Sequence, residues 1–393
     1  MTVIAEIGTS HAGSLDKAFA LIDAAADAGA DCVKFQWVYA DEILHPDTGF
    51  VTLPGGAVRL YDRFRSLELD SSFFASCLDY AHKKGLLFAC SPFGLRSLKE
   101  LVAIQPDAIK IASPEVNHYP LLEACASYYG KIPIILSSGV SRLGDIERAV
   151  DILEGDRRDA GRSCGQASEL LPAGTASLPP LTLLHCITSY PAPEREYNVR
   201  CVDTLRRVFG LPTGISDHSL DPVLIPVLTA AVGGVMIEKH ITLSRRTDGL
   251  DDPVALEPEQ FAQMVQAVHQ TRAVLHKCEK DGVPQAALPE VLRQMNGQYG
   301  SDMVEAALGS GVKRLAASER ANYGRTNRSL HYLRAMKQGD RIGEADVSVL
   351  RTEKVLTPGI SPEYARLLTG CVLTRDVGAG AGVDWNDLLT RCP

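Results

Sequence analysis

The chain has 393 residues, of which 45% are hydrophobic, and carries a formal net charge of −8 at pH 7. Its length predicts one large and one small domain, and its acidic charge, with no basic run, argues against nucleic acid as a partner. No apolar run approaches the roughly 20 residues of a membrane span and no secretory segment is recognised, so we expect a cytoplasmic protein without a membrane partner. The ten cysteines form no CxxC motif, which indicates neither a zinc knuckle nor a disulfide framework.

Short apolar segments recur along the first two thirds of the chain, each bounded by polar residues or glycine, as is typical of strands buried on both faces. Helical periods lie between them, most clearly over Ser14–Gly29, where an apolar stripe ends at glycine. Eight strand–helix repeats in about 250 residues predict an α/β protein with a (β/α)8 TIM barrel. The predicted strands are Val3–Ile7, Cys32–Phe35, Leu86–Cys90, Ala108–Ile111, Ile132–Leu136, Leu181–Cys186, Thr213–Ile215 and Val235–Ile237.

Polar residues follow every predicted strand, and the carboxyl ends of parallel barrel strands share one face. Two lysines and several serines among them suit a phosphate and a carboxylate, because lysine supplies a compact charge and serine supplies hydroxyl donors. The alternative is that these residues only cap the next helices, but buried lysines are costly without a partner. The residues at these strand ends are Glu6, His11, Lys34, Gln36, Ser91, Lys110, Ser113, Glu115, Ser137, Ser189, Tyr190, Ser216, His218, Glu238 and His240.

Two histidines follow consecutive predicted strands near the end of the barrel. If these strands are neighbours, His218 and His240 point out of the same end, and two imidazoles with one or two waters make a seat for a divalent ion. The alternative for either histidine alone is a hydrogen-bonded structural residue.

The barrel domain is predicted over residues 1–280, because its last helical pattern falls near Gln260–Lys277. Within it, residues from about 154 to 180 are rich in Gly, Ala, Ser and Pro, which predicts a loop insertion on the face away from the chemistry. Residues 281–327 show few strand signals and are predicted to be a linker.

A small, turn-rich domain is predicted over residues 328–393. Short strands are expected at Ser329–Leu333 and Ser348–Leu350, in a mixed α+β or β-rich arrangement, and the segment holds no acid–base pair of its own.

Several of these motifs, in the order in which they occur, resemble the sialic acid synthase family, the phosphoenolpyruvate-dependent nonulosonic acid synthases. The barrel motifs that carry the resemblance are Ala5–Gly13, Val33–Gln36, Ser91–Phe93, Lys110–Glu115, His185–Pro193, Gly214–His218 and Ile237–Thr242. The last part of the chain resembles the antifreeze-like (SAF) domain of those enzymes, at Arg328–Leu330, Lys337–Asp340 and Gly359–Pro362.

The resemblance implies a transferase that condenses phosphoenolpyruvate with a hexosamine-type sugar aldehyde to a nine-carbon 2-keto-3-deoxy acid and phosphate. It also implies a divalent metal, manganese first with magnesium or cobalt as alternatives, held by His218 and His240. Two alternatives stay open. One is a metal-dependent aldolase on the same barrel, since this fold hosts many reactions; the other is a synthase for an unusual aldehyde.

The resemblance further implies a role for each site residue. Catalytic roles are expected for Glu6, Lys110, Glu115, His218 and His240. Substrate binding is expected for Lys34, Gln36, Ser91, Ser113, Ser137, Ser189, Tyr190, Ser216, Asp251 and Arg328. In that family an arginine matching Arg328 enters the barrel of the other subunit, which implies a domain-swapped homodimer.

The chain departs from the family pattern where the sugar is expected. Sialic acid synthases usually carry asparagine where this chain has Ser189, and the segment 248–253 replaces a common Gly-Pro-Asp pattern. The half of the site expected to hold phosphate and metal matches, so the reaction type is better defined than the sugar.

Overall fold

The computed structural model describes residues 1–53, 56–155, 178–247, 249–280, 287–353 and 355–388. The predicted insertion at about 154–180 lies almost entirely outside the described residues. Within them, no helix is both long and apolar enough to cross a membrane.

The predicted TIM barrel is confirmed, with all eight predicted strands in it. In chain order the strands are β1 (Thr2–Gly8), β2 (Cys32–Trp37), β3 (Phe50–Leu53), β4 (Gly56–Arg59), β5 (Leu87–Pro92), β6 (Ala108–Ile111), β7 (Ile134–Ser137), β8 (Leu181–Cys186), β9 (Thr213–Asp217), β10 (Met236–His240), β11 (Arg328–Tyr332) and β12 (Val347–Arg351). Strands β1, β2 and β5 to β10 close a barrel in that order, and all of its pairs are parallel. Strands β3 and β4 form an antiparallel hairpin in the connection that follows β2.

Helices surround the barrel because each buries one apolar stripe against the outward side chains of the strands. They are α1 (Leu15–Asp27), α2 (Ala40–Ile43), α3 (Leu60–Arg65), α4 (Ser71–Lys83), α5 (Leu95–Ala103), α6 (Tyr119–Ala126), α7 (Leu143–Glu154), α8 (Cys201–Phe209), α9 (Leu224–Ala231), α10 (Pro258–Lys280), α11 (Ala287–Tyr299), α12 (Ser301–Leu308) and α13 (Ala365–Leu368).

The interior of the barrel is built in layers, since alternate residues of each strand point inward. The lower layer is apolar and consists of Ile4, Cys32, Ala89, Ala108, Ile135, Leu184 and Met236. Two residues further along the same strands, the buried residues are Glu6, Lys34, Ser91, Lys110, Ser137, Cys186 and Glu238. The change from apolar to polar within one strand spacing therefore separates the packed core from the functional end.

The structure differs from the predicted 281–327 linker in residues 287–308, which form α11 and α12. Both helices have an apolar face, with Val291 and Met295 buried in α11 and Val304 and Leu308 buried in α12. They pack as an additional outer layer over α9 and α10. The actual connector to the small domain is therefore residues 309–327, called the connector below.

The small domain is organised around the antiparallel pair β11–β12. Its own core contains Leu330, Tyr332, Met336, Ile342, Leu368, Leu373 and Val383. The domain contacts the barrel through Asn117, whose side chain exchanges hydrogen bonds of 2.7 and 2.9 Å with the backbone of Arg328. Strand β12 also lies beside Leu44, which follows α2. The small domain thus sits near the carboxyl ends of the barrel strands.

Candidate active site

A cavity opens at the carboxyl end of the barrel and is lined by most of the residues predicted from the sequence. These are Glu6, Lys34, Gln36, Ser91, Lys110, Ser113, Ser137, Tyr190, Ser216, His218 and His240, joined by Phe93 and Glu238. They come from the ends of all eight barrel strands, and the barrel closure brings them to one point. The charged ones among them are buried.

Lys34 forms the centre of one cluster in the cavity. Its Nζ lies 2.6 Å from Glu6 Oε2 and donates a 3.3 Å hydrogen bond to Ser91 Oγ. Gln36 donates to the other oxygen of Glu6 at 2.8 Å. Burial lowers the pKa of Lys34, but the Glu238 and Glu6 carboxylates outweigh this and raise it above its usual value. Lys34 is therefore a fixed cation.

Lys110 faces a second carboxylate, Glu238, at 3.7 Å, and Ser216 donates to that carboxylate at 2.9 Å. Burial opposes ionisation of Glu238, yet Lys110 and Lys34 lower its pKa to about 2. Burial lowers the pKa of Lys110 itself. Lys34 and Lys110 thus face two buried carboxylates, Glu6 and Glu238, and an anionic ligand on this wall would compete with these carboxylates for the two lysines.

Apart from Glu6 Oε2, which has its ion pair with Lys34, three buried polar atoms around the cavity have no hydrogen-bond partner among the described residues: Ser137 Oγ, Glu238 Oε2 and His240 Nδ1. Buried polar groups in proteins are almost always paired, and exceptions are common where a ligand binds. The positions of these atoms, one on β7 and two on β10, mark the two sides of a binding site.

His218 and His240 lie together, with ring centroids 5.6 Å apart, and the Tyr190 ring packs 4.3 Å from His218. The Nδ1–H of His218 donates to the Ile187 carbonyl at 2.8 Å, which leaves Nε2 for another partner. Burial lowers the pKa of His240. Burial also opposes the charged form of His218, but Cys186, whose Sγ lies 3.8 Å from Nδ1, raises its pKa to about 9.

A buried ion pair stands behind the two histidines. Lys239 donates to Asp217 Oδ2 at 2.7 Å and to the Ser219 carbonyl at 2.6 Å. Asp217 immediately precedes His218 and Lys239 immediately precedes His240, so the pair joins the two strand ends that carry the imidazoles. Lys239 points outward from the barrel interior, and its role is to hold the histidine backbones in place.

Glu115 and Arg328 meet each other outside the cavity lining. Arg328 Nε lies 2.5 Å from Glu115 Oε2, and Arg351 from the small domain lies 2.7 Å from Oε1. Burial raises the pKa of Glu115, but the two guanidinium groups outweigh it and lower the pKa below its usual value. Arg328 also donates to the carbonyl of Phe93, a cavity residue, at 2.7 Å. In this chain the pair fastens the small domain to the rim of the cavity.

Two predicted sugar-side residues are carried on loops at the edge of the cavity. Ser189 donates to the Pro191 carbonyl rather than into the cavity. Asp251 lies close to Gly8, since a Cβ there would stand 3.3 Å from both Asp251 Oδ2 and Glu6 Oε1. Gly8 has φ +57°, so both its backbone and this close approach require glycine. Asp251, Glu6 and Gln36 therefore form one corner of the site.

Comparison with known proteins identifies the family. The NeuB family pattern matches residues 21–280, and the SAF domain pattern matches residues 327–389. The spore coat polysaccharide biosynthesis protein SpsE of Bacillus subtilis is 30% identical over 392 residues, covering 99% of this chain and 94% of that protein. The chain belongs to the NeuB family.

Other relatives of this NeuB protein have named activities. The N,N'-diacetyllegionaminic acid synthase of Legionella pneumophila is 27% identical over 391 residues, covering 98% of this chain and 94% of its own. The SpsE crystal structure superposes with a TM-score of 0.77 over 100% of this chain and 96% of that one. The N-acetylneuraminic acid synthetase structure from Leptospira borgpetersenii, 31% identical, covers 70% and 84% with a TM-score of 0.57. This NeuB protein is accordingly an enzyme of the transferase type.

Glu238 is a cavity residue that was noted at a strand end but given no site role from the sequence. Its signal was the two-residue period of β10, because Met236 belongs to the apolar layer and His240 to the cavity. The residue between them on the same face had to point inward.

A larger cavity, of about 480 Å³, lies between the barrel and the small domain. Its lining carries the carboxylates of Asp41, Glu42 and Glu344 against the guanidinium of Arg366. An acidic lining without converging lysines does not suit an anionic substrate, so the chemistry of this NeuB protein belongs to the smaller, barrel cavity.

Proposed function

We propose that this enzyme condenses phosphoenolpyruvate with a hexosamine-type sugar aldehyde, giving a nine-carbon 2-keto-3-deoxy acid and inorganic phosphate. The observation that carries the proposal is the division of the buried cavity. Lys34, Lys110 and the serines of β5 to β7 occupy one arc of the barrel mouth, and His218 and His240 occupy the adjoining arc. The lysine arc suits the anionic phosphoenolpyruvate. The histidine arc suits the aldehyde that its methylene carbon attacks.

The lysine arc would hold the phosphate and the carboxylate of phosphoenolpyruvate. Lys34 and Lys110 supply positive charge, while Ser91, Ser113 and Ser137 supply hydroxyl donors. Ser137 Oγ has no partner among the described residues and is available for this purpose. An anion there would compete with Glu238 for Lys110, and the 3.7 Å separation of that pair leaves room for a closer partner.

The reaction balances without a redox partner. A bond forms between the methylene carbon of phosphoenolpyruvate and the aldehyde carbon, and water adds to the carbon that carries the phosphate ester. The bond between that carbon and the ester oxygen then breaks, and the oxygen leaves with the phosphate. The cavity contains carboxylates able to accept the proton of that water, and Glu6, held between Lys34 and Gln36, is placed at the corner shared with Asp251.

A divalent metal fits the histidine arc, with manganese as the first candidate and magnesium or cobalt as alternatives. The donors would be the buried Nδ1 of His240 and Nε2 of His218, whose Nδ1–H is held by the Ile187 carbonyl. Because the pKa of His218 is raised to about 9, its Nε2 would release a proton when the ion binds. Among the described residues no third histidine, cysteine or acidic side chain completes a cluster, so water or substrate oxygens would fill the remaining positions. When bound, the ion supplies Lewis-acid polarisation of the aldehyde oxygen.

The sugar is proposed at the level of its class. Relatives across the full chain are named for N,N'-diacetyllegionaminic acid and pseudaminic acid as well as for N-acetylneuraminate-9-phosphate. Of the residues that would contact the sugar, Asp251 and Tyr190 lie on loops at the rim, and Gln36 lies at the end of β2. An N-acetylated hexose or a diacetamido deoxyhexose in its open, aldehyde form is the proposed substrate.

We also propose a domain-swapped homodimer. The structure describes one chain, in which the small domain has only its own barrel to contact. In the proposed dimer the contacts of Arg328 with Glu115 and Phe93, and those of the connector, form between subunits.

The test is turnover of purified protein with phosphoenolpyruvate, manganese and a panel of aldoses that includes N-acetylmannosamine and diacetamido deoxyhexoses. The expected result is release of inorganic phosphate together with a product heavier than the sugar by one pyruvate unit. An aldolase on the same barrel would use pyruvate and release no phosphate, and that outcome would replace the proposal.

A further inference from the structure

The connector crosses the mouth of the barrel and places a buried carboxylate there. Glu319 is 1% exposed, although it belongs to a short 3-10 turn between the two domains. Burying a carboxylate is costly unless an ion pair or hydrogen bonds hold it. The burial of Glu319 therefore indicates a structural role for its carboxylate.

The hydrogen bonds of the Glu319 carboxylate show which segments it connects. Glu319 Oε2 accepts from the backbone N–H of Val140 and from that of Thr188, both at 2.9 Å. Glu319 Oε1 accepts from the N–H of Ala316 at 3.1 Å, within the connector. One oxygen thus ties together the loop after β7 and the loop after β8.

Two asparagines of the connector donate hydrogen bonds to the backbone carbonyls of the same two residues. Asn322 Nδ2 donates to the Thr188 carbonyl at 3.0 Å, and Asn327 Nδ2 donates to the Val140 carbonyl at 3.1 Å. Both the N–H and the carbonyl of Val140 and of Thr188 are therefore satisfied by connector side chains. We call Glu319, Asn322 and Asn327 the connector brace.

The two braced loops carry parts of the active site. Val140 lies three residues beyond Ser137 and has φ +43°, an uncommon conformation for a β-branched residue that its surroundings must hold. The neighbouring Gly139 donates to Ser113 Oγ at 2.9 Å. A side chain at Gly139 would meet Thr188 Oγ1 and Ser113 Oγ, so the two loops pack directly on each other.

The second loop reaches the histidine arc. Thr188 follows Ile187, whose carbonyl accepts from His218 Nδ1 at 2.8 Å and so sets the orientation of that ring. Thr188 also precedes Ser189 and Tyr190 at the sugar side. A shift of the Thr188 backbone would therefore move the imidazole, and a shift of Val140 would move the serines.

From this geometry we propose that the connector brace is a set of positioning residues for the active site. Glu319 holds the loops of β7 and β8 at the spacing that aims Ser113, Ser137 and His218 into the cavity. The active site formed by the barrel alone is incomplete, and the connector completes it. The brace contacts no substrate itself, and its effect on ligand binding rests on the proposed function.

The test compares Glu319→Gln with Glu305→Gln in the full-length protein. Glutamine keeps the size of Glu319 but turns one acceptor oxygen into an amino group that faces N–H donors. Glu305 is a matched control, because it is exposed on α12 and pairs with Arg200 at 2.8 Å. Two quantities are measured well below the melting temperature: the Kd for phosphoenolpyruvate by calorimetry, and hydrogen–deuterium exchange of peptides that contain Val140 and Thr188.

For Glu319→Gln we expect phosphoenolpyruvate to bind about tenfold more weakly, and both peptides to exchange faster while the core strands stay protected. Glu305→Gln should match the wild type in both measurements. Asn322→Ala removes a single bond of the brace and should show the same pattern with about a threefold loss; it serves if Glu319→Gln does not fold.

Unchanged exchange at the two loops, or faster exchange with unchanged affinity, would overturn the brace. Uniformly faster exchange across the barrel would also overturn it, because that pattern describes a general loss of stability. If the wild type itself does not bind phosphoenolpyruvate, the proposed function fails, and the local exchange result alone then decides whether the brace exists.

Discussion

The lysine arc and the loops at the rim of the cavity are held in different ways. Lys34, Lys110 and Ser137 project from strands of a closed barrel, and their positions follow from strand register. Ser189, Tyr190 and Asp251 sit on loops, and Tyr190 is 51% exposed. Rigid elements position reacting groups most accurately, whereas loops tolerate sequence change. Under the proposed function, the chemistry of this enzyme is built into the scaffold, and its choice of sugar is set at the rim.

Removal of the metal or of its ligands should have the largest effect. Chelator treatment should abolish turnover, and added manganese or cobalt should restore it, because two imidazoles hold an ion that can be removed. His240→Ala should lower kcat by more than about 100-fold, since a Lewis acid contributes several kcal/mol. The measurement is phosphate release at saturating substrate.

His276→Ala is the control for the metal prediction, because this histidine is exposed on α10 and pairs with Glu279. Its activity should equal that of the wild type. Full activity in chelator-treated His240→Ala protein would remove the metal from the account and leave the histidine arc without its assigned role.

Substitution of a strand-borne lysine tests whether the lysine arc and the rim are functionally separate. Lys34→Ala should raise KM for phosphoenolpyruvate by about 10- to 100-fold, the usual range for a lost hydrogen bond to a charged group, and leave KM for the sugar nearly unchanged. Exposed Lys84, paired with Asp23, provides the control substitution. Since Lys34→Ala also leaves Glu6 without its cation, unfolding is followed in parallel. A rise confined to the KM for the sugar would show that Lys34 binds the sugar and not phosphoenolpyruvate.

Complementation tests the shared site. Arg328→Ala and His240→Ala proteins should each be nearly inactive. In a swapped heterodimer one site carries both defects and the other carries neither, so mixing under subunit exchange should restore about a quarter of wild-type activity. The alternative is that each small domain completes the site of its own subunit, with the contacts seen in the single chain. Every site then keeps one defect, and no activity returns.

The rim should give the smallest effect and the opposite kinetic signature. Asp251→Asn keeps the size of the side chain but removes one acceptor for a sugar hydroxyl, and should raise KM for the sugar by about tenfold, near the cost of one or two hydrogen bonds. The KM for phosphoenolpyruvate should stay the same. Equal changes in both constants would show that the rim does not act separately from the strand-borne arc.

The barrel and most of its cavity were predictable from the sequence because both depend on a short period. Strands buried on both faces are readable as apolar runs, and the residue two positions beyond an inward apolar residue faces inward as well. Lys34 and Lys110 were predicted from their positions at the strand ends, and the two-residue period would have added Glu238. The small domain was placed correctly by its resemblance to the SAF domain.

The connector brace was not predictable in this way, because its contacts join residues far apart in the chain. Glu319 and Val140 are 179 positions apart, and nothing local distinguishes Glu319 from a solvated glutamate. Helices α11 and α12 were missed for a different reason, since a search for strand signals overlooks an apolar face at helical spacing. The contact of Arg328 with Glu115 likewise depends on how two domains dock.

The most direct test of the central claim follows one oxygen atom. Phosphoenolpyruvate labelled with oxygen-18 in the bridge between carbon 2 and phosphorus is given to the enzyme with manganese and an accepted aldose. Attack by the methylene carbon, addition of water at carbon 2 and cleavage of the carbon–oxygen bond predict that the label appears in the released phosphate. Mass spectrometry finding the label in the organic acid, with unlabelled phosphate, would contradict the account.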